Sequence, residues 1–211
     1  ELQRVSLARA LAVNPKIVLL DEPLSALDPN FRYELRQMLK NIHQTTEVTF
    51  LMVTHDFGEA ISLAENAAIM DGGRIVQTGT VDEIFQKPCC NFAADFVGMK
   101  NIFPAEFNGS VARTGGLDIE LGRTIDDVSG HIAIRPEDIV LSRKELNSSM
   151  RNTFRGIVLS VIDIGFFYEI DIRVSDTIFK SLIAKGSLFE LQIKENLEIF
   201  ISFKATAIHN F

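Results

Sequence analysis

An acidic pair, Asp21-Glu22, closes the apolar run Ile17-Val18-Leu19-Leu20 and is followed at once by Pro23. Asp28 comes six residues after Glu22, and His55 follows a second apolar run that ends at Val53. The carboxyl end of a buried strand is where ligands of open α/β sheets bind. Two adjacent carboxylates there can divide the work, one holding Mg2+ directly or through water, the other taking a proton from an attacking water. Nucleotide hydrolases place a metal ligand and a base in this way. Taken alone, though, an acidic pair is more often an ordinary strand-to-turn junction, and a histidine at a strand end is more often a satisfied structural residue. The usual companion of such a pair, a phosphate loop of the form G-x-x-x-x-G-K-[ST], occurs nowhere in the 211 residues.

The elements that must position these groups can be read from periodicity and punctuation. Apolar residues at Leu2, Val5, Ala8, Leu11 and Ala12 have helical spacing, and Pro15 ends that helix. The stretch from Lys16 to Leu20 is too short for a helix and uniformly apolar, which predicts a central parallel strand covered on both faces. Asp28-Pro29 opens a helix to about His43, with Asp as cap and Pro at the first helical position. A second buried strand is expected over 48–53, a helix over 56–64, and a hairpin turning at Gly72-Gly73. Thr80-Val81-Asp82-Glu83 reads as a capping box for a short helix that Pro88 stops. Alternating strands and helices predict an α/β domain up to this point. Beyond about Lys100 the segments are short and rich in Ile, Val and Phe, separated by Gly, Asn, Asp or Ser, as in a β domain. Strands are expected over 101–107, 130–134, 153–162, 166–174, 179–183 and 196–208, with the boundary at residues 96–102 and no obvious repeat.

The motifs and their order carry a family resemblance. Glu1-Leu2-Gln3-Arg4-Val5-Ser6-Leu7-Ala8-Arg9-Ala10-Leu11 resembles the helix that follows the signature motif of ABC transporter ATPases, with Glu1 as the last residue of that motif. Leu20-Asp21-Glu22-Pro23 is similar to the Walker B strand with its glutamate, Ser25-Ala26-Leu27-Asp28 to the D-loop, and Thr54-His55-Asp56 to the switch-histidine loop. The resemblance covers residues 1–98, read as the C-terminal part of a P-loop-type ABC ATPase domain. It implies that Asp21 binds Mg2+ through water, Glu22 polarises the water attacking ATP, and His55 contacts the terminal phosphate. Glu1 and Asp28 would then lie at the nucleotide and the contact between two ATPase subunits. Positioning and charge neutralisation suffice for phosphoryl transfer once ATP is held. In that family the phosphate loop would precede Glu1, so the chain reads as a piece of a longer protein, one expected to bind ATP poorly by itself.

Residues 99–211 are read as a β-rich accessory domain of OB-like small-barrel type. Ile134-Arg135-Pro136-Glu137 is similar to a motif in the accessory domain of importer ATPases, where Arg135 and Glu137 would fix a strand corner. Ser149-Met150-Arg151-Asn152-Thr153-Phe154-Arg155-Gly156, Lys180-Ser181 and Lys204-Ala205-Thr206-Ala207 resemble segments of molybdate- and tungstate-binding barrels (TOBE/MOP-like) over about residues 147–209. The resemblance implies an oxyanion set of Ser149, Arg151, Asn152, Ser181, Lys204 and Thr206, groups able to surround a tetrahedral dianion. Met150 departs from the usual Ala.

Composition narrows the class further. A hydrophobic share of 46% and a charged share of 23% are those of a globular protein, and no apolar stretch is long enough for a membrane span. A net charge of -7 argues against nucleic acid as partner. Cys89 and Cys90 are neighbours and suit a reducing compartment. The expectation is therefore the ATP-hydrolysing subunit of a prokaryotic importer, for molybdate or tungstate, using ATP and Mg2+. Its partners would be a second copy, integral membrane permease subunits, an extracytoplasmic binding protein and a regulatory oxyanion, at the cytoplasmic face of the membrane. The alternatives are the same ATPase serving sulfate, iron, polyamine or sugar import, or a non-catalytic oxyanion-binding module.

Overall fold

In a computed structural model, residues 2–25 and 27–211 are described, and the chain divides into two compact units, Glu1–Gln86 and Lys87–Phe211. The first contains α1 (Leu2–Leu11), β1 (Ile17–Asp21), α2 (Pro29–Thr45), β2 (Thr49–Val53), α3 (Phe57–Leu63), β3 (Asn66–Asp71), β4 (Arg74–Thr80) and α4 (Val81–Gln86). Helix α1 ends where Asn14 takes a left-handed φ of 50° ahead of Pro15, a conformation Asn tolerates better than most residues. Strands β1 and β2 pair in parallel, from Ile17 opposite Thr49 to Asp21 opposite Val53. Thr80 and Glu83 form the reciprocal capping box foreseen from sequence. The Thr80 N–H donates to Glu83 Oε2 at 2.9 Å, and the Glu83 N–H to Thr80 Oγ1 at 3.2 Å. At the hairpin between β3 and β4, Gly72 and Gly73 have φ of 53° and 78°, a pair of values only glycine adopts without strain.

The expectation that β1 is covered on both faces fails in an informative way. Leu7 of α1, Leu24, and Leu35 and Leu39 of α2 form a buried cluster against Leu20 and Phe50, so one face of the strand pair is packed. The alternate residues Ile17, Leu19, Leu51 and Val53 are 59–73% exposed. These positions are apolar because the pattern is written for a two-sided sheet, and only one side is furnished by the described residues. The unit holds two parallel strands rather than a complete P-loop α/β domain, and the chain as a whole is mostly β.

The second unit starts earlier than the sequence expectation of 96–102. It includes α5 (Asn91–Phe96), a helix not foreseen from sequence. The buried Arg135 binds the Val97 carbonyl through Nη1 at 2.6 Å, which fastens the end of this helix to the β region. The strands are β5 (Asn101–Thr114), β6 (Leu117–Ile125), β7 (Ser129–Ile134), β8 (Val140–Ser142), β9 (Asn152–Asp163), β10 (Phe167–Val174) and β11 (Thr177–Ala184). After α6 (Lys185–Glu190) come β12 (Glu198–Phe203) and β13 (His209–Asn210). Strand β6 and helix α6 were also unforeseen. The single long strand expected over 196–208 is broken by a turn of 3₁₀ helix at Ala205–Ala207.

Contrary to the expectation of no repeat, this unit contains one, visible in reciprocal contacts. The orders are β13-β7-β5-β6 in one sheet and β11-β10-β9-β12-β8 in the other. Each long strand opens with Asn-x-Phe: Asn101-Ile102-Phe103 in β5 and Asn152-Thr153-Phe154 in β9. The buried Asn101 amide accepts from the Lys180 N–H at 2.6 Å and donates to the Lys180 carbonyl at 2.9 Å, on edge strand β11. Asn152 does the same to Glu120 on edge strand β6, at 2.8 and 2.9 Å. A side-chain amide thus mimics one residue of a neighbouring strand and seals an edge that would otherwise lie open. Matching 3₁₀ turns, Pro136–Asp138 and Ala205–Ala207, follow Arg135 and Lys204, which share φ and ψ of -75° and 142°. After each turn the chain crosses to the other half's sheet: β8 pairs with β12, and β13 with β7. Phe103, Phe179, Phe203 and Phe154 run through the common core with ring centroids 5.0–6.1 Å apart.

Replacing either asparagine by alanine leaves a backbone N–H and carbonyl of the opposite half unpaired. Asn101→Ala and Asn152→Ala should each cost about 1–3 kcal/mol in denaturant unfolding. Asn101→Ala is expected to cost more, since its amide also reaches the Ile134 carbonyl. An unchanged midpoint in both variants would remove the edge-sealing role.

Candidate functional site

The parallel ladder continues one residue beyond β1, because the Glu22 N–H donates to the Val53 carbonyl at 2.9 Å. Glu22 there takes a left-handed φ of 43°. For a residue with a Cβ this conformation costs on the order of 1–2 kcal/mol. The turn that follows holds it, since the Glu22 carbonyl accepts from the Ser25 hydroxyl at 3.0 Å. The kink throws the Glu22 side chain across to the end of β2, where Oε1 lies 3.0 Å from His55 Nδ1. Two of the residues singled out from the sequence therefore meet, at the carboxyl ends of two parallel strands.

An ionised carboxylate only accepts hydrogen bonds, so the proton of this contact sits on His55 Nδ1. The hydrogen bond to Glu22, then its charge, hold the imidazole pKa above its usual 6.5, with smaller contributions from Glu59 and Asp56. The pair is open to solvent, with side chains 71% and 46% exposed, as a group that must meet a ligand should be. Asp21 sits beside Glu22 on the uncovered face of β1, exposed. Asp28 caps α2, accepting from the Asn30 and Phe31 N–H groups at 3.1 and 3.2 Å. That carboxylate is committed to holding the helix start. Glu1 lies outside the described residues.

Around His55 stand Thr54 and Asp56, its neighbours in the stretch that resembles the switch-histidine loop, and Glu59, which sequence reasoning did not single out. The Thr54 hydroxyl donates to Glu59 Oε2 at 2.7 Å and accepts from the Asp56 N–H at 3.0 Å. Asp56 caps α3 by accepting from the Glu59 N–H at 3.2 Å. Glu59 itself is 3% exposed. The signal was present: Asp56 and Glu59 stand at the spacing of a capping box.

In the second unit the proposed oxyanion set does not come together as a whole. Asn152 is buried and spent on Glu120, and Ser181 is buried with its hydroxyl donating to the Ile139 carbonyl at 2.7 Å. These two are structural, because a buried polar group must be paired and both already are. Lys180 is engaged by Glu169 and Asp171 at 3.0 and 2.8 Å. Ser149, Arg151, Lys204 and Thr206 are exposed. Arg151 and Lys204 flank the terminal ladder pair Asn152–Phe203, which puts them at one end of the sheet, and Thr206 packs beside Gly122 of β6. Glu120 lies 3.8 Å from Arg151 at the same place. Arg135, also expected to be structural, is buried and fixes the corner through Val97.

Residues 148–210 match the TOBE domain family. Along its whole length the chain is 39% identical to the molybdate/tungstate import ATP-binding protein of Pyrococcus horikoshii. The chain carries a TOBE domain and is homologous to ABC importer ATP-binding proteins. It spans 61% of the length of that archaeal relative. A spermidine/putrescine import ATP-binding protein of Thermotoga maritima is 39% identical over 95% of this chain and 58% of its own length. A sulfate/thiosulfate import ATP-binding protein of Chromobacterium violaceum is 48% identical over 66% of this chain and 38% of its own. Relatives with three kinds of cargo in their names thus share this scaffold. Among the described residues no helix is long and apolar enough to cross a membrane.

The contact between Glu22 and His55 predicts its own pH dependence. Because His55 is raised above 6.5, the contact strengthens the fold below that value and is lost as pH rises through the higher, folded-state midpoint. In an NMR titration, Glu22→Gln should bring the His55 midpoint down toward 6.5. A midpoint that stays where it was would mean that Glu22 does not set it.

Proposed function

We propose that this chain is the C-terminal portion of the ATP-hydrolysing subunit of an ABC importer, with Glu22 as general base and His55 as its partner at the terminal phosphate. The observation that carries the reading is the 3.0 Å approach of the Glu22 carboxylate to the His55 imidazole, with Asp21 alongside at the ends of β1 and β2. Two exposed carboxylates and a histidine are a donor set that suits Mg2+ and a phosphate group together. Bound Mg-ATP would supply the transferable phosphoryl group and the charge-neutralising metal. Asp21 would hold the metal through water. Glu22 would orient the attacking water and take its proton, the kink in its backbone fixing where that carboxylate can reach. His55, with Nδ1–H tied to Glu22, would present Nε2–H as a donor to the phosphate when the ring is doubly protonated, a form the Glu22 contact favours. Backbone amides and a lysine for the β- and γ-phosphates would come from residues outside these 211, as would the other face of the β1–β2 sheet.

The homologues support the rest of the assignment. An ATP-binding subunit of this kind would act as a pair docked on membrane permease subunits at the cytoplasmic face, served by an extracytoplasmic binding protein. The relatives matched along the whole chain carry molybdate or tungstate in their names, which favours those anions as cargo. Arg151, Lys204 and Thr206, with Ser149 nearby in sequence, are the groups left to receive an oxyanion at the TOBE corner. Asn152 and Ser181 would shape that corner from behind. Polyamine or sulfate import is the alternative, since relatives named for those cargoes reach comparable identity over much of the chain.

In the complete protein, Glu22→Gln should lower ATP turnover by at least about 100-fold while nucleotide binding persists, since the base is removed and the binding groups are not. Turnover within a few-fold of the parent would overturn the assignment of the base. For the TOBE corner, isothermal titration with molybdate and tungstate should show binding that Arg151→Ala and Lys204→Ala each weaken about tenfold or more, each removing a charged hydrogen bond. No heat with either anion would leave the corner without an oxyanion role.

A further inference from the structure

We infer that Glu59 and Thr54 are positioning residues for the histidine. A ring of three hydrogen bonds around the His55 turn, closed by the buried Glu59 carboxylate, aims the imidazole at Glu22. The inference rests on the reading of His55 as a functional group.

The ring is an expanded capping box. In the ordinary form the third helical residue reaches back to the N–H of the cap residue. Here the Thr54 hydroxyl is inserted between them. Glu59 Oε2 accepts from Thr54 Oγ1 at 2.7 Å, Thr54 Oγ1 accepts from the Asp56 N–H at 3.0 Å, and Asp56 Oδ1 accepts from the Glu59 N–H at 3.2 Å. Together these bonds tie one side of His55 to the other, so residues 54–59 form a closed loop from which the His55 side chain projects. Glu59 is 3% exposed, and a carboxylate so placed is costly unless hydrogen bonds compensate it, as the Thr54 hydroxyl does here. Glu22 is fixed from its own side by its backbone bond to Val53 and its left-handed φ. A second fixed wall is what a 3.0 Å contact between two exposed side chains requires, since exposed pairs otherwise lose their geometry to side-chain entropy.

The groups facing the imidazole are Glu22 from the end of β1 and Asp56 and Glu59 from α3. Arg32 of α2 stands behind Asp56, with Nη1 4.0 Å from its Oδ2. The readout should therefore report geometry as well as charge. The His55 ring tautomer does so: while Nδ1 faces the carboxylate, the neutral ring carries its proton there, whereas a released histidine shifts toward the Nε2–H form.

The experiment is ¹⁵N NMR of the His55 ring in the complete protein without nucleotide, above the imidazole midpoint. In the parent chain the Nδ1–H form should dominate. Thr54→Val removes the hydroxyl at nearly constant volume, and Glu59→Ala removes the carboxylate. Both should raise the Nε2–H population several-fold and lower the titration midpoint toward 6.5, whereas Thr54→Ser should behave as the parent. Should Glu59→Ala fail to fold, Thr54→Val decides alone. A folded Thr54→Val whose His55 keeps the parent tautomer and midpoint overturns the inference. That outcome leaves the assignment of Glu22 as base standing, because it is tested separately by turnover of Glu22→Gln in the complete protein.

Discussion

One backbone hydrogen bond sets the geometry of the first unit. The donation from the Glu22 N–H to the Val53 carbonyl extends the β1–β2 ladder past its last paired residues. To make that bond and still enter the turn toward α2, Glu22 must adopt a φ that residues with a Cβ avoid. Strain of this kind persists only where the surroundings over-determine it, and it gathers at sites that do chemistry. The result is an acid whose carboxylate reaches the next strand's end instead of the solvent above its own. Everything assigned to the site follows from that displacement. Asp21 is left on one face of the sheet, Glu22 is carried to His55, and the histidine acquires both a fixed tautomer and a raised pKa.

The second unit is organised by a different constraint. A small β domain must dispose of its sheet edges, and here two asparagines do so by imitating backbone. The same device appears twice, Asn101 on Lys180 and Asn152 on Glu120, with the same 3₁₀ corners following Arg135 and Lys204. The likeness ends at chemistry. One corner is knit into the fold, its arginine buried and bound to Val97. The other leaves its lysine exposed at the end of the sheet that Arg151 also flanks. Duplication of structure therefore has not duplicated the cationic surface.

Much of the first unit was legible because its signals are local. Asp28-Pro29, Thr80-x-x-Glu83 and Gly72-Gly73 are each decided within four residues, and all three act in the structure as their chemistry predicts. Asp21, Glu22 and His55 could be picked out, but no periodicity could announce the φ of Glu22, since it arises from a bond between residues 31 apart in the chain. The expected two-sided burial of β1 failed for a related reason. A strand's residue types record the sheet it was written for, and say nothing of which layers are present. The backbone engagement of Asn152 and Ser181 was not legible, because an amide or hydroxyl suited to an anion is equally suited to a backbone group, and only burial and partners tell these apart. The repeat escaped notice because its halves share positions of Asn, Phe and a basic corner residue rather than a run of sequence.

The exchange of terminal strands has a consequence for how the second unit comes into being. Residues 101–134 cannot complete their sheet until His209 and Asn210 arrive opposite Ala133 and Ile132, and β8 has no partner until β12 is made. A ribosome releasing this chain thus emits the leading half long before anything can close it. Local turns form at once, but the long-range pairing that locks them waits for His209 and Asn210. Neither half completes its sheet without a strand from the other, and β13 is the clasp.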